Sequence, residues 1–211
     1  MRETALVILA RAPERGRVKT RLASAIGDEP ALAVYRDLLA ITARAATAWH
    51  GPRLLLTRGD PASFAGTGLD RLRSAPQIGG PLGAEIAHAL SAGLSMSKRA
   101  LVIGSDCPGL SAERLAALAG ALREVGASVG PAEAGGFWAL GASDGRVAKA
   151  VLAVKRWSSS DTLRRLESAL ADLRLAVCFG ETLFDCDDEE DLRRAVSMGL
   201  VRDPRTQESA P

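Results

Sequence analysis

Six short apolar runs punctuate the chain, at residues 5–10, 54–57, 100–104, 127–130, 137–141 and 175–179. Each is nearly continuous rather than alternating, the pattern required of strands buried on both faces of a sheet. Between them apolar positions recur at spacings of three and four. Leu32, Tyr35, Leu39 and Ala43 make one stripe on a helix that starts near Asp28 or Glu29, with Pro30 in its first turn. Ser111 suits an N-cap, followed by Glu113 in the first turn and a stripe of Leu115, Leu118 and Leu122. Further helices are predicted over 82–96, 161–170 and 189–198, the last stopped by Gly199, where a left-handed cap costs little. Strands alternating with helices predict an α/β chain, a three-layer α/β/α sandwich around a mainly parallel sheet. In such sheets ligands bind beyond the carboxyl ends of the strands, so the segment after each strand matters most.

The 211 residues suit one domain, read as 1–201. A polar tail with two prolines follows over 202–211 and is expected to fray. Hydrophobic residues at 47% and charged ones at 25% exclude disordered, collagen-like and coiled-coil chains. The 27 Lys and Arg against 25 Asp and Glu leave too little positive excess for sequence-independent nucleic-acid binding. The longest uncharged stretch, 86–97, is broken by His88 and serines and falls short of the roughly 20 apolar residues of a membrane span. The apolar run after Met1 passes into a charged segment without a small-residue cleavage site, so a cytoplasmic location is expected. Cys107, Cys178 and Cys186 form no Cys-x-x-Cys pair and are expected to be small buried residues. His50 and His88 have no metal spacing and are poor material for a zinc site or a Ser-His-Asp triad. Chemistry falls to carboxylates, Lys, Arg and backbone.

Three segments carry it. The first runs Arg11-Ala-Pro-Glu-Arg-Gly-Arg-Val-Lys-Thr-Arg21 and puts five cations and a glycine beyond the first strand, where arginine forks and a lysine point charge suit phosphates. A Walker A loop is excluded, because Val18 stands where that motif needs Gly before Lys-Thr. The bland alternative is a solvated basic loop. The second segment, Gly104-Ser-Asp-Cys-Pro108, delivers Asp106 at the end of a buried strand, placed either to hold magnesium or to cap the next helix, for which Ser111 is the better candidate. The third, Phe184-Asp-Cys-Asp-Asp-Glu-Glu-Asp-Leu192, holds six carboxylates. The helix dipole accounts for Glu189, Glu190 and Asp191 but leaves Asp185 and Asp187 in want of a partner, which a metal shared with Asp106 would supply. Two glycine-rich stretches, 77–83 and 130–141, could let backbone approach a ligand or could be ordinary turns. Trp157-Ser-Ser-Ser160 reads equally as an acceptor contact or as a half-buried aromatic before a helix cap.

Together Val-Lys-Thr-Arg-Leu, Gly-Ser-Asp-Cys-Pro, Gly-Pro-Ala-x-x-Gly-Gly-Phe, Trp-Ser-Ser-Ser and Asp-Cys-Asp-x-x-Glu-Asp-Leu resemble the DUF2064 family of nucleotide-diphospho-sugar transferase-like proteins, over about residues 6–195. A more distant likeness is to molybdenum cofactor guanylyltransferase and 2-phospholactate guanylyltransferase. The resemblance implies the glycosyltransferase A (SpsA-like) fold and a Mg²⁺ or Mn²⁺ cofactor. It implies that Arg11, Lys19 and Arg21, with Ala10, Gln77 and Gly83, hold the nucleotide, and that Asp106 and Asp187 hold the metal. It further gives Lys19 and Asp106 catalytic roles and places Gly135, Gly136, Phe137, Trp157 and Ser158 against the substrate.

The chain departs from the family pattern at Ala134 and Pro81, where the family usually carries Asp. Glu133 could substitute for the first only if its loop shifted. Three functions follow as expectations: a metal-dependent glycosyltransferase using a nucleotide-diphosphate sugar, a nucleotidyltransferase joining a nucleoside triphosphate to a small phosphorylated or carboxylated acceptor, and a nucleotide-binding protein without turnover. The base, sugar, acceptor and oligomeric state are not legible in the sequence.

Overall fold

The structure, a computed structural model, describes residues 3–157 and 159–207. Strands β1 (Thr4–Arg11), β2 (Arg53–Arg58), β3 (Ser74–Pro76), β4 (Arg99–Ile103), β5 (Ala127–Pro131), β6 (Phe137–Ala142) and β7 (Val177–Phe179) form one sheet in the order β3-β2-β1-β4-β6-β5-β7. All run in one direction except β6, which is antiparallel to both β4 and β5. The helices are α1 (Thr20–Ile26), α2 (Asp28–Thr47), α3 (Leu82–Met96), α4 (Ala112–Ala121), α5 (Arg146–Ala153), α6 (Thr162–Asp172) and α7 (Glu189–Ser197).

The continuous apolar runs are explained by helices on both faces of the sheet. Leu6, Ile8, Leu55, Leu101 and Ile103 pack on one face against Leu38 and Leu39 of α2, Leu115 and Leu118 of α4 and Leu192 of α7. The alternate positions Val7, Leu56, Val102, Val129 and Leu140 pack on the other against Leu90 of α3, Val147 and Val151 of α5 and Leu166 and Leu170 of α6. Each such side chain contributes roughly 1.5–3 kcal/mol on burial, so a polar residue in any of these strands would be costly. The α/β class and the mainly parallel sheet agree with the sequence pattern.

Three elements lie outside that pattern. β3 is a three-residue edge strand containing Pro76, too short and too exposed to leave a periodic signal. α1 buries only Leu22 and sits within the basic segment. α5 buries Val147, Ala150 and Val151 over eight residues, too few turns for a clear stripe. β7 starts at Val177 rather than at 175, because Arg174 adopts a left-handed turn (φ 51°) and Leu175 is spent packing in the core. Cys107 and Cys186 are buried as expected, but Cys178, on the edge strand β7, is only half-buried. Within the tail, Pro204–Gln207 form a 3₁₀ turn, and the exposed Arg202 pairs with Asp37 of α2 and Arg205 with Glu189 of α7. No helix among the described residues is long and apolar enough to cross a membrane.

The topology also sets where a ligand can go. From β1 the chain moves outward to β2 and β3, then returns through α3 to β4 on the other side of β1. The segments leaving the carboxyl ends of β1 and β4 therefore part company, and a crevice opens between them. The reversed β6 begins at the edge where its neighbours end, so the β5–β6 turn joins the same crevice.

Candidate functional site

The crevice is a cleft of ≈ 800 Å³. Ala10 and Arg11 at the end of β1, the turn into α1, Arg58 at the end of β2, Gln77 after β3 and Ser105 and Asp106 after β4 line one part of it. Ala134, Gly136, Phe137, Trp157, Asp185 and Asp187 line the rest. No histidine is among the lining residues.

Its floor is a charge cluster centred on Lys19. Val18 is buried, and Lys19 follows in a left-handed conformation (φ 48°) as the residue before α1. Such a backbone is uncommon for a residue with a Cβ, and here it lies beside the carboxylates. The ammonium Nζ is 2.5 Å from Asp106 Oδ1 and 3.0 Å from Asp187 Oδ1, and the Lys19 side chain is only 4% exposed. Arg21, in the first turn of α1, pairs with the other oxygen of Asp187. Burial alone would lower the proton affinity of Lys19, but Asp106 and Asp187 outweigh it and hold the ammonium above the ordinary lysine range. Burial likewise pushes Asp187 upward, and Lys19 and Arg21 override it to hold that carboxyl below its usual range.

The two acidic loops are stitched together. The Cys186 amide donates to the Asp106 carbonyl (3.0 Å), and the Cys107 thiol donates to Asp185 Oδ1 (2.9 Å). Burial raises the Asp185 carboxyl, with Asp106 and Asp187 adding to the rise against the thiol hydrogen bond and Lys19. Burial also pushes the Cys107 thiol up, so it stays a neutral donor. Neither Asp106 nor Asp187 is spent on a helix cap. Ser111 accepts from the Arg114 amide to cap α4, and Asp188 caps α7 in a reciprocal box with Asp191. Among the described residues no group of three or more His, Cys, Asp and Glu side chains is placed to hold a metal ion. The position between Asp106 and Asp187, where a shared metal was expected, is taken by the Lys19 ammonium.

Tyr35 of α2 ties the end of β1 to the end of β4. Its hydroxyl accepts from the Arg11 amide (3.1 Å), donates to the Arg11 carbonyl (2.9 Å) and lies 3.3 Å from Ser105 Oγ. Burial, with the charge of Asp106, pushes its pKa up to about 12, which keeps the hydroxyl protonated at neutral pH. Tyr35→Phe leaves the Arg11 amide without this partner at a cost of about 1–3 kcal/mol. A melting temperature lower by roughly 2–10 °C is expected, and calorimetry checks it; an unchanged value would show that Arg11 is held by other means.

The opposite wall rests on Glu85, which is 2% exposed. Its carboxylate accepts from the amides of Ile78 (3.2 Å) and Gly79 (2.7 Å) and pairs with Arg58 (3.2 Å). Gln77 donates from Nε2 to the carbonyls of Ala10 and Leu56, which pins the segment after β3 to β1 and β2. Gly83, expected against the nucleotide, does not line the cleft. A Cβ there would stand 2.6 Å from the Trp157 indole nitrogen, so this glycine makes room for Trp157. Trp157 is fixed by its own hydrogen bond to the Val154 carbonyl and stands edge-on to Phe137 with ring centres 6.1 Å apart. Gly135, expected against the substrate, also does not line the cleft. Its φ of +82° and a Cβ position 2.0 Å from the Ser160 carbonyl oxygen show that it lets the β5–β6 turn touch the segment before α6. Ser158 lies outside the described residues. Glu133 does not replace the acid absent at Ala134, since both its oxygens are bound by Arg194 (2.6 and 2.8 Å).

Sequence reasoning passed over Tyr35, Arg58, Glu85 and Ser105. Two of them left a signal. Glu85 is the single charged residue between Arg73 and Lys98, and Arg58 is the first charge after an apolar strand.

The fold is shared with solved structures of similar size. A candidate nucleotide-diphospho-sugar transferase from Desulfovibrio desulfuricans G20 superposes with a TM-score of 0.84 at 26% identity, over 91% of this chain and 85% of that one. The 2-C-methyl-D-erythritol 4-phosphate cytidylyltransferase of Thermus thermophilus has a TM-score of 0.58 at 19% identity, over 95% and 100%. A Mycobacterium tuberculosis H37Rv protein solved in complex with manganese has a TM-score of 0.58 at 15% identity, over 92% and 98%. The last two speak for the fold alone. No curated protein matches the sequence. The sequence model of the family described as "Uncharacterized protein conserved in bacteria (DUF2064)" matches residues 39–159, more than half of the chain, and the protein belongs to that family, on a nucleotide-diphospho-sugar transferase-like fold.

Proposed function

We propose that this protein is a transferase whose donor is a nucleotide-diphosphate sugar. The observation that carries the reading is the buried Lys19 ammonium held between Asp106 and Asp187 at the crevice between β1 and β4, with Arg11, Arg17, Arg21 and Arg58 also lining the cleft. Transfer breaks the bond between the sugar's anomeric carbon and the diphosphate oxygen, and negative charge grows on the departing diphosphate. Fixed cations in a cleft stabilise that charge without reorganising. Arg11 and Arg21 bind the phosphates, Lys19 faces the leaving oxygen, and Phe137 and Trp157 form the wall for the group transferred. Asp106 and Asp187 offer hard oxygens and would hold Mg²⁺ or Mn²⁺, ions that take few protein ligands beside water and phosphates, so the two carboxylates fit such an ion without a third protein ligand. Held there, it would neutralise further charge on the diphosphate.

A second reading, nucleotidyl transfer with release of pyrophosphate, is favoured by one observation. A hydroxyl acceptor needs a base, yet the lining carboxylates Asp106, Asp185, Asp187 and Glu85 are each engaged, and Ala134 and Pro81 bring none. An acceptor that is already an anion, a phosphate or a carboxylate, needs no base.

Incubation with nucleotide sugars or nucleoside triphosphates, with and without Mg²⁺ or Mn²⁺, separates the readings by product. A nucleoside diphosphate supports sugar transfer, and pyrophosphate supports nucleotidyl transfer. Stabilisation without either product leaves nucleotide binding alone; a ligand at a hundred times its Kd should add about 2.7 kcal/mol. No stabilisation by any nucleotide would overturn the proposal.

A further inference from the structure

We infer that Lys19 is an internal counter-ion that keeps a divalent cation out of the nucleotide-free cleft, so that metal and nucleotide phosphates are taken up together. The inference rests on the proposed function for the identity of the phosphate ligand, but its central test does not. Two carboxylates, Asp106 and Asp187, face two cations, Lys19 and Arg21, and the four charges cancel. A dication approaching Asp106 and Asp187 meets an ammonium and a guanidinium that already balance their charge. It finds one oxygen of each carboxylate engaged by the ammonium and the second oxygen of Asp187 engaged by Arg21.

The arrangement has little freedom to give way. Val18 and Leu22 are buried on either side of Lys19, which fixes where its stem begins, and the side chain is 4% exposed. The carboxylate loops are joined by the Cys186 amide on the Asp106 carbonyl and the Cys107 thiol on Asp185. To sit between both carboxylates, a metal must displace the ammonium, and the ammonium then needs another anion. The phosphates of a nucleotide are such an anion. They accept Lys19 and Arg21 and offer oxygens to the ion, so each partner removes the obstacle to the other, which is a positive coupling between the two ligands.

Titration with Mn²⁺ alone tests this, with free ion followed by electron paramagnetic resonance and heat by calorimetry. Lys19→Gln removes the ammonium charge and is expected to bind Mn²⁺ at least about tenfold more tightly than the wild type, within the 5- to 150-fold span of ordinary couplings. Lys19→Arg keeps the charge and is expected to stay as weak as the wild type. Adding Asp106→Asn to Lys19→Gln should abolish the gain, which locates the ion. Equal Mn²⁺ affinity in wild type and Lys19→Gln, or no binding by the variant, overturns the inference. So does tight Mn²⁺ binding by the unaltered protein that is lost in Asp106→Asn, a result that needs no Lys19 variant to fold. These titrations contain no nucleotide, so their failure is distinct from failure to bind or turn over a nucleotide donor.

Discussion

Lys19→Ala is expected to lower turnover of the nucleotide donor by a factor of about 10² to 10³, the loss typical when one preorganised stabiliser of developing charge is removed. The ammonium is compact, nearly inaccessible and held at 2.5 and 3.0 Å by two carboxylates, and among the described residues no other cation bridges the pair. Arg21 remains on Asp187, but from the exposed side, with a side chain 70% exposed and a charge that water screens. Lys19→Arg keeps the positive charge between the carboxylates but should recover only part of the rate, since a planar fork presents that charge less compactly than an ammonium. Steady-state kinetics on the nucleoside diphosphate or pyrophosphate released, with a melting curve to verify folding, checks the expectation. A folded Lys19→Ala protein with unchanged kcat would remove Lys19 from the chemistry.

Glu85→Ala is expected to cost about 2–3 kcal/mol, the scale set by leaving buried hydrogen-bonding groups without a partner. The cost stays below that of a fully buried ion pair because Arg58, with a side chain 45% exposed, can turn to water. The loss falls mainly on the segment after β3, where the Ile78 and Gly79 amides lose together the buried acceptor that fixes their position. The melting temperature should fall by roughly 5–10 °C. Nucleotide affinity should fall with it, because Gln77 and Leu82 lose the anchor of their wall. Glu85→Gln, which keeps an acceptor oxygen, should lose less of both. Calorimetry and nucleotide titration measure the two effects, and a variant as stable as the wild type would show that the loop is held by Gln77 alone.

The fold class was legible because burial on both sheet faces writes itself into the chain as uninterrupted apolar runs separated by helical stripes. What escaped were elements with little to bury: β3 at the edge, α1 with Leu22 only, and α5 with two turns. The candidate site was legible where chemistry sits in a local string, as at Lys19, Asp106 and Asp187. It was not legible where one side chain serves a distant backbone. Tyr35 reads as one more member of a helix stripe, yet its hydroxyl holds Arg11. Gly83 reads as a ligand-approach glycine, yet it accommodates an indole.

From the order of its runs and loops alone, the chain determined an α/β layering and a set of charged segments at the carboxyl edge of the strands, because periodicity and strand termination are local properties of sequence. Only the tertiary structure decided what those segments do to one another. It placed an ammonium, rather than an open gap, between the carboxylates of Asp106 and Asp187, tied Glu133 to Arg194 and turned Gly135 to the segment before α6. Those outcomes depend on distances between residues far apart in the chain, and such distances are set by the sheet order and the packing on it, which no local pattern carries.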